Sequence, residues 1–188
     1  MRGALTEAAP YSTSNAPETK EILVKSAQDV FRVMLASDIE HDSVEADASF
    51  KPSPGVMAVL GLSGERNGAG MLWFSPRLAC QAAEGLLMCE FTDTTNDVLD
   101  AVGEIANMII GNVKTEIESV LGPISLGTPT IVCGSDFRAR KTNADAWTMV
   151  ALRWKEELFF AGISLSNGRS SSHSRLPAAN PAMIPASQ

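Results

Sequence analysis

Histidine and cysteine are scarce in this chain: two histidines and three cysteines in 188 residues. His41 and His173 lie far from Cys80, Cys89 and Cys133, and no C-x-x-C pair occurs, which argues against a zinc site. An odd set of cysteines fits free, mostly buried thiols in a reducing compartment, and none has the basic neighbour that activates a thiolate. No apolar run approaches the roughly 20 residues needed to span a bilayer. Residues 1–20, MRGALTEAAPYSTSNAPETK, lack the apolar region of a signal peptide, so the expected location is the cytoplasm. Positive charge is also in short supply. With 15 Lys and Arg against 22 Asp and Glu, the net charge of −7 opposes contact with nucleic acid or an anionic membrane surface. No Ser-His-Asp constellation, metal-ligand cluster or cofactor fingerprint is present, so no resident cofactor or metal is expected. The Gly-rich stretch SGERNGAG, residues 63–70, lacks the G-x-x-x-x-G-K-[ST] pattern and lies between two apolar runs, which makes it a hairpin turn and not a phosphate cradle.

What is present suits one globular domain with a core of its own. Residues 1–18 carry Ala, Ser, Thr and Pro without periodicity and read as a disordered lead-in; residues 167–188 read as a disordered tail for the same reason. The domain between them, 19–166, opens with a helix over residues 20–37, where Leu23, Ala27, Val30, Phe31, Met34 and Leu35 recur at helical spacing. An edge strand is expected over 44–50, then a hairpin of 56–62 and 71–74. Ser75-Pro76 opens a second helix, Ser as N-cap and Pro at the first helical position. Strands over 130–133, 146–154 and 157–165 close the domain, the last two joined by a tight turn at Lys155-Glu156. Strands segregated from helices in this way predict an α+β fold, with helices packed on one face of a largely antiparallel sheet.

The centre of the chain is a long helix over residues 94–121, TTNDVLDAVGEIANMIIGNVKTEIESVL, capped by Asp93 or Thr94 and ended by Gly122-Pro123. Val98, Val102, Ile105, Ile109, Val113 and Val120 fall on one side and predict its buried stripe. With Asp100 as zero, Glu104 lies at roughly +40°, Asn107 at about −20° and Gly111 at about +20°. An acid, a second acid, an amide and a bare backbone position therefore form a strip opposite the core. A solvated face would explain the carboxylates. It does not explain Gly103 and Gly111, each of which costs about 1 kcal/mol relative to Ala in a helix interior. The strip reads as a docking surface.

Asp100-x3-Glu104-x2-Asn107, set in GEIANMIIGNVKT, resembles the active-site helix of the CheC/CheX-type phosphatases of bacterial chemotaxis. That signature is an acid or Ser, three residues, Glu, two residues, Asn, and a Pro some way on. The interval from Asn107 to Pro129 is one residue shorter than in the family pattern and Pro123 fits it worse, which leaves the proline unassigned. A single E-x-x-N helix makes the chain more similar to CheX than to the duplicated CheC. The resemblance covers roughly residues 20–166. It implies the same α+β fold, a homodimer, and hydrolysis of the aspartyl-phosphate of a CheY-like response regulator, whose receiver domain brings the Mg²⁺. By resemblance Asn107 orients the attacking water and Glu104 pairs with a lysine of the regulator. Asp100, Gly103 and Gly111 are the expected partner-binding positions. A non-catalytic module that binds receivers through the same helix is the alternative.

Overall fold

The computed structural model describes residues 16–44, 54–135 and 147–166. The expected disordered tail 167–188 lies outside them, as does the lead-in up to residue 15. Helix α1 spans Ala16–Met34, several residues earlier at both ends than its apolar spacing suggests. Pro17 falls in its first turn, where a missing N–H is no loss, so a Pro-containing lead-in can still be helical. Strand β1, Glu40–Asp42, follows where none was expected. It has only three polar residues and no alternation to betray it. The strand expected over 44–50 is not seen at Val44, which is irregular, and the rest of it lies outside the described residues.

Strands β2 (Gly55–Gly64) and β3 (Gly68–Phe74) form a tighter hairpin than the sequence indicates. Gly68, Ala69 and Gly70 read as loop because glycine disfavours strands, yet all three pair across β2 and the final strand, Glu157–Leu165. Packing explains Gly70. A Cβ there would come within 2.6 Å of Ile110 Cγ2 in the helix above. Helix α2, Pro76–Leu87, begins as expected, with the Ser75 hydroxyl accepting the Leu78 N–H at 3.1 Å.

The central helix α3 spans Asn96–Leu121. Its N-cap is Thr95, not Asp93 or Thr94, and the Thr95 side chain makes no capping bond. Strands β4 (Ile124–Leu126), β5 (Thr130–Gly134), β6 (Thr148–Trp154) and β7 (Glu157–Leu165) complete the chain. All seven strands pair antiparallel, in the order β1-β6-β7-β3-β2-β4, with β5 beside β4 along the outer edge of β2. The fold is α+β, as its element order predicts.

All three helices pack on the same side of the sheet. Phe31 of α1 stacks on Phe159 at 5.0 Å and meets Trp154 edge-on at 5.1 Å. On α3, Val98, Val102, Ile105, Ile109 and Val113 are fully buried, as their period demands. Val120 corrects that stripe. It is 65% exposed, because the last turn of α3 runs past its cover, while Ile110 and Ile117 are buried instead. The opposite face of the sheet is also apolar, with Met57, Met71, Trp73, Met149 and Phe160 clustered there. The expectation of mostly buried thiols holds only for Cys80; Cys89 and Cys133 are exposed.

Candidate functional site

The strip predicted on α3 exists as one solvent-facing ridge, because the buried stripe fixes the rotation of the helix. Asp100 and Glu104 are exposed, and Asn107 and Gly111 are half-buried. The polar side chains along α3 divide into two groups. Toward the C-terminus Lys114, Thr115, Glu118 and Ser119 have partners in the chain, whereas the Asn112 and Glu116 side chains have none among the described residues. Lys114 Nζ lies 2.8 Å from Glu118 Oε2, and Glu118 Oε1 accepts the Ile124 N–H at 2.7 Å. The Thr115 hydroxyl donates to the Gly111 carbonyl at 2.9 Å, and that of Ser119 to the Glu116 carbonyl at 2.8 Å. The ammonium of Lys114 and the Ile124 amide together hold the Glu118 carboxyl below the usual carboxylate range. Toward the N-terminus, within the described residues, the fold ties none of the Asp100, Glu104 and Asn107 side chains into a hydrogen bond or ion pair.

The two helix glycines also part company. Gly103 is buried, and a Cβ on it would sit 3.3 Å from Ile131 Cδ1 and 3.7 Å from Pro129 Cβ. The close approach that Gly103 permits is thus made by the chain's own β5, not by an outside partner. This contact also places Pro129 beside the turn that carries Glu104 and Asn107, whereas Pro123 lies beyond the end of the helix. Gly111 is different. A Cβ there would meet only Leu126 Cδ2, at 3.9 Å, which is ordinary contact. Nothing within the described fold requires glycine at that position.

The flank of β4 and β5 was not legible as part of the site. Both strands share the outer edge of β2, β4 opposite Leu62–Gly64 and β5 opposite Gly55–Val59. The Gly127 N–H donates to the Gly61 carbonyl at 2.8 Å and keeps the link between them on the sheet. A three-residue strand has too little pattern to announce itself, and no spacing rule ties Leu126 or Ile131 to α3.

Among the described residues no group of three His, Cys, Asp or Glu side chains is placed to hold a metal. No helix there is long and apolar enough to cross a membrane. What the ridge offers is an amide and two carboxylates, carried on a rigid helix and free to engage another molecule.

An α+β domain with a single helix presenting such a ridge defines a class, and the comparisons place the chain within it. Its sequence matches the chemotaxis phosphatase CheX family over residues 56–151, and the chain belongs to that family. No curated protein matches it at the sequence level. Among solved structures, the chemotaxis protein CheX from Vibrio vulnificus superposes with a TM-score of 0.71 at 19% identity, over 79% of this chain and 99% of that one. CheX from Desulfovibrio desulfuricans gives 0.70 at 20% identity, again over 79% and 99%. The structure of a CheX-CheY-BeF3-Mg²⁺ complex from Borrelia burgdorferi matches at 0.58 and 20% identity, over 77% of this chain and 96% of that one. At these identities the superpositions speak for the fold.

Proposed function

We propose that this protein hydrolyses the aspartyl-phosphate of a CheY-like receiver domain, with Asn107 and Glu104 as its working residues. The observation that carries the reading is the unengaged N-terminal half of the α3 ridge, in a chain of the chemotaxis phosphatase family. An aspartyl-phosphate is a labile mixed anhydride, so little chemistry is left for the second protein to supply. Water attacks phosphorus, the new P–O bond forms as the bond to the aspartyl oxygen breaks, and the products are inorganic phosphate and a free carboxylate. Asn107 suits the orienting role. Its amide oxygen accepts from the water while its NH₂ donates to a neighbouring acceptor, the part a glutamine plays for the attacking water in GTPases. Glu104, one turn earlier on the same ridge, is placed to pair with a cation at the rim of the receiver's site. Asp100, at the head of the ridge, adds negative charge for the same partner. The Mg²⁺ belongs to the receiver, and this chain supplies none of its ligands.

The same reading puts the protein in the cytoplasm, where three free cysteines are at home. We propose a homodimer formed by sheet edges. Pairing across the β1–β6 edge would leave both ridges open, whereas pairing across β4 and β5 would crowd them. Sedimentation of a monomer at tens of micromolar would overturn the dimer. The test of the activity is direct. Receiver domains from the same genome are phosphorylated, and their decay is followed with and without the protein. Acceleration is expected for at least one receiver, and unchanged decay across the set would refute the assignment.

A further inference from the structure

We propose that the notch between Gly111 on α3 and Leu126 on β4 is a second anchor of the docking surface, seating one bulky uncharged side chain of the receiver. The proposal rests on the receiver reading above and adds the chemistry by which the partner is held in register.

The groove between α3 and the outer sheet edge is closed at one end and open at the other. At Gly103 it is filled by Ile131 and Pro129. Eight residues on, roughly 12 Å along the helix axis, it opens at Gly111, where the Leu126 methyl at 3.9 Å from the Cβ position is the nearest cover. Glycine at a half-exposed helix interior costs about 1 kcal/mol against Ala. At Gly103 packing inside the chain explains the residue, and at Gly111 the packing of the described residues does not. A bare backbone with a leucine on its flank is a seat for an apolar or aromatic group that must come close to the helix. The Thr115 hydroxyl, bound to the Gly111 carbonyl, satisfies that polar group along the rim.

Charge identifies the occupant. Asp97, Asp100 and Glu104 make the first turns of the ridge acidic, and no Lys or Arg among the described residues pairs with them. From Asn107 through Gly111 to Thr115 the ridge carries no charge, and Lys114 is neutralised by Glu118 at 2.8 Å. A complementary surface is therefore cationic opposite Asp100 and Glu104, and uncharged and protruding opposite Gly111. A second copy of this chain, at −7, is a poor match for the acidic half. A receiver that offers a lysine at its phosphoryl site meets the first demand. Asn107 lies one turn, about 6 Å, from Gly111, so one partner spans both contacts. The notch fixes how far along the helix it sits, and hence where Asn107 lies relative to the phosphorus.

The experiment is a binding titration of the full chain against a receiver held in its phosphorylated form by beryllium trifluoride and Mg²⁺. The parent is compared with Gly111→Ala, Gly111→Gln and Leu126→Ala, with thermal melts beside each. Gly111→Gln should keep the fold and weaken binding by at least about 10-fold, the loss typical of a central interface position. Leu126→Ala should weaken it by a smaller factor. Gly111→Ala should melt higher than the parent and still bind less tightly, an opposition that a purely structural glycine would not give. A parent that binds while Gly111→Gln binds equally well overturns the notch and leaves the receiver reading standing. A parent that binds no receiver removes both.

Discussion

Replacing Asn107 with alanine isolates the hydrolytic step from folding and from docking. The Asn107 side chain is half-buried and has no hydrogen bond among the described residues, so its removal breaks no hydrogen bond there. Alanine is also the better helix former, by several tenths of a kcal/mol. The melting temperature should therefore hold or rise slightly. Catalysis should not. A group that orients the attacking water acts mainly in the transition state, and losing one such contact commonly costs about 10²–10³ in rate, or roughly 3–4 kcal/mol. Docking should change little, since Glu104 and the rest of the ridge remain. The sharper variant is Asn107→Asp. It preserves size, removes both N–H donors and sets a carboxylate beside a phosphoryl dianion, so it should be at least as slow as alanine. The assay is single-turnover decay of a phosphorylated receiver under saturating protein, with affinity for the beryllium trifluoride form measured in parallel. An Asn107→Ala variant that hydrolyses at the parental rate would refute the catalytic reading and leave a binding module.

Glu104→Ala should show the reverse pattern, weaker binding with a smaller effect on the saturated rate; high salt should weaken the parent complex too, because the contact proposed for Glu104 is an ion pair. Gly70→Ala should destabilise the domain by about 1–3 kcal/mol through overpacking, as its Cβ would press on three side-chain carbons of Ile110 at 2.6 to 2.8 Å, and denaturant melts will read the loss. Acid should loosen the junction of α3 with β4. The Glu118 carboxyl titrates below its ordinary value because Lys114 and the Ile124 amide favour its charged form. Its contribution is thus complete at neutral pH and is lost as the pH falls through that lowered value. Faster amide exchange at Ile124 on acidification, abolished by Glu118→Gln, is the expected result.

Position along the chain was enough to find the ridge. A 3.6-residue period fixes which side of a helix is apolar, so the place of Asp100, Glu104, Asn107 and Gly111 opposite the core follows from spacing alone. Ser75-Pro76 announced α2 because capping is local chemistry, and the alternation of Phe159, Ala161 and Ile163 announced β7 for the same reason. The failures share a physical origin. Strands β1 and β4 have three residues each and form only because β6 and β2 offer edges to pair with. Gly68 and Gly70 look like loop until the neighbours that forbid a Cβ are in place. Val120 keeps the period of the buried stripe but loses its cover where the helix outruns the core. The two glycines of α3 were indistinguishable as letters. Only the tertiary structure, by laying Ile131 and Pro129 over Gly103 and leaving Gly111 with a single leucine at its flank, gave one an internal role and left the other open, because what a missing Cβ permits depends on the atoms that approach it from distant parts of the chain.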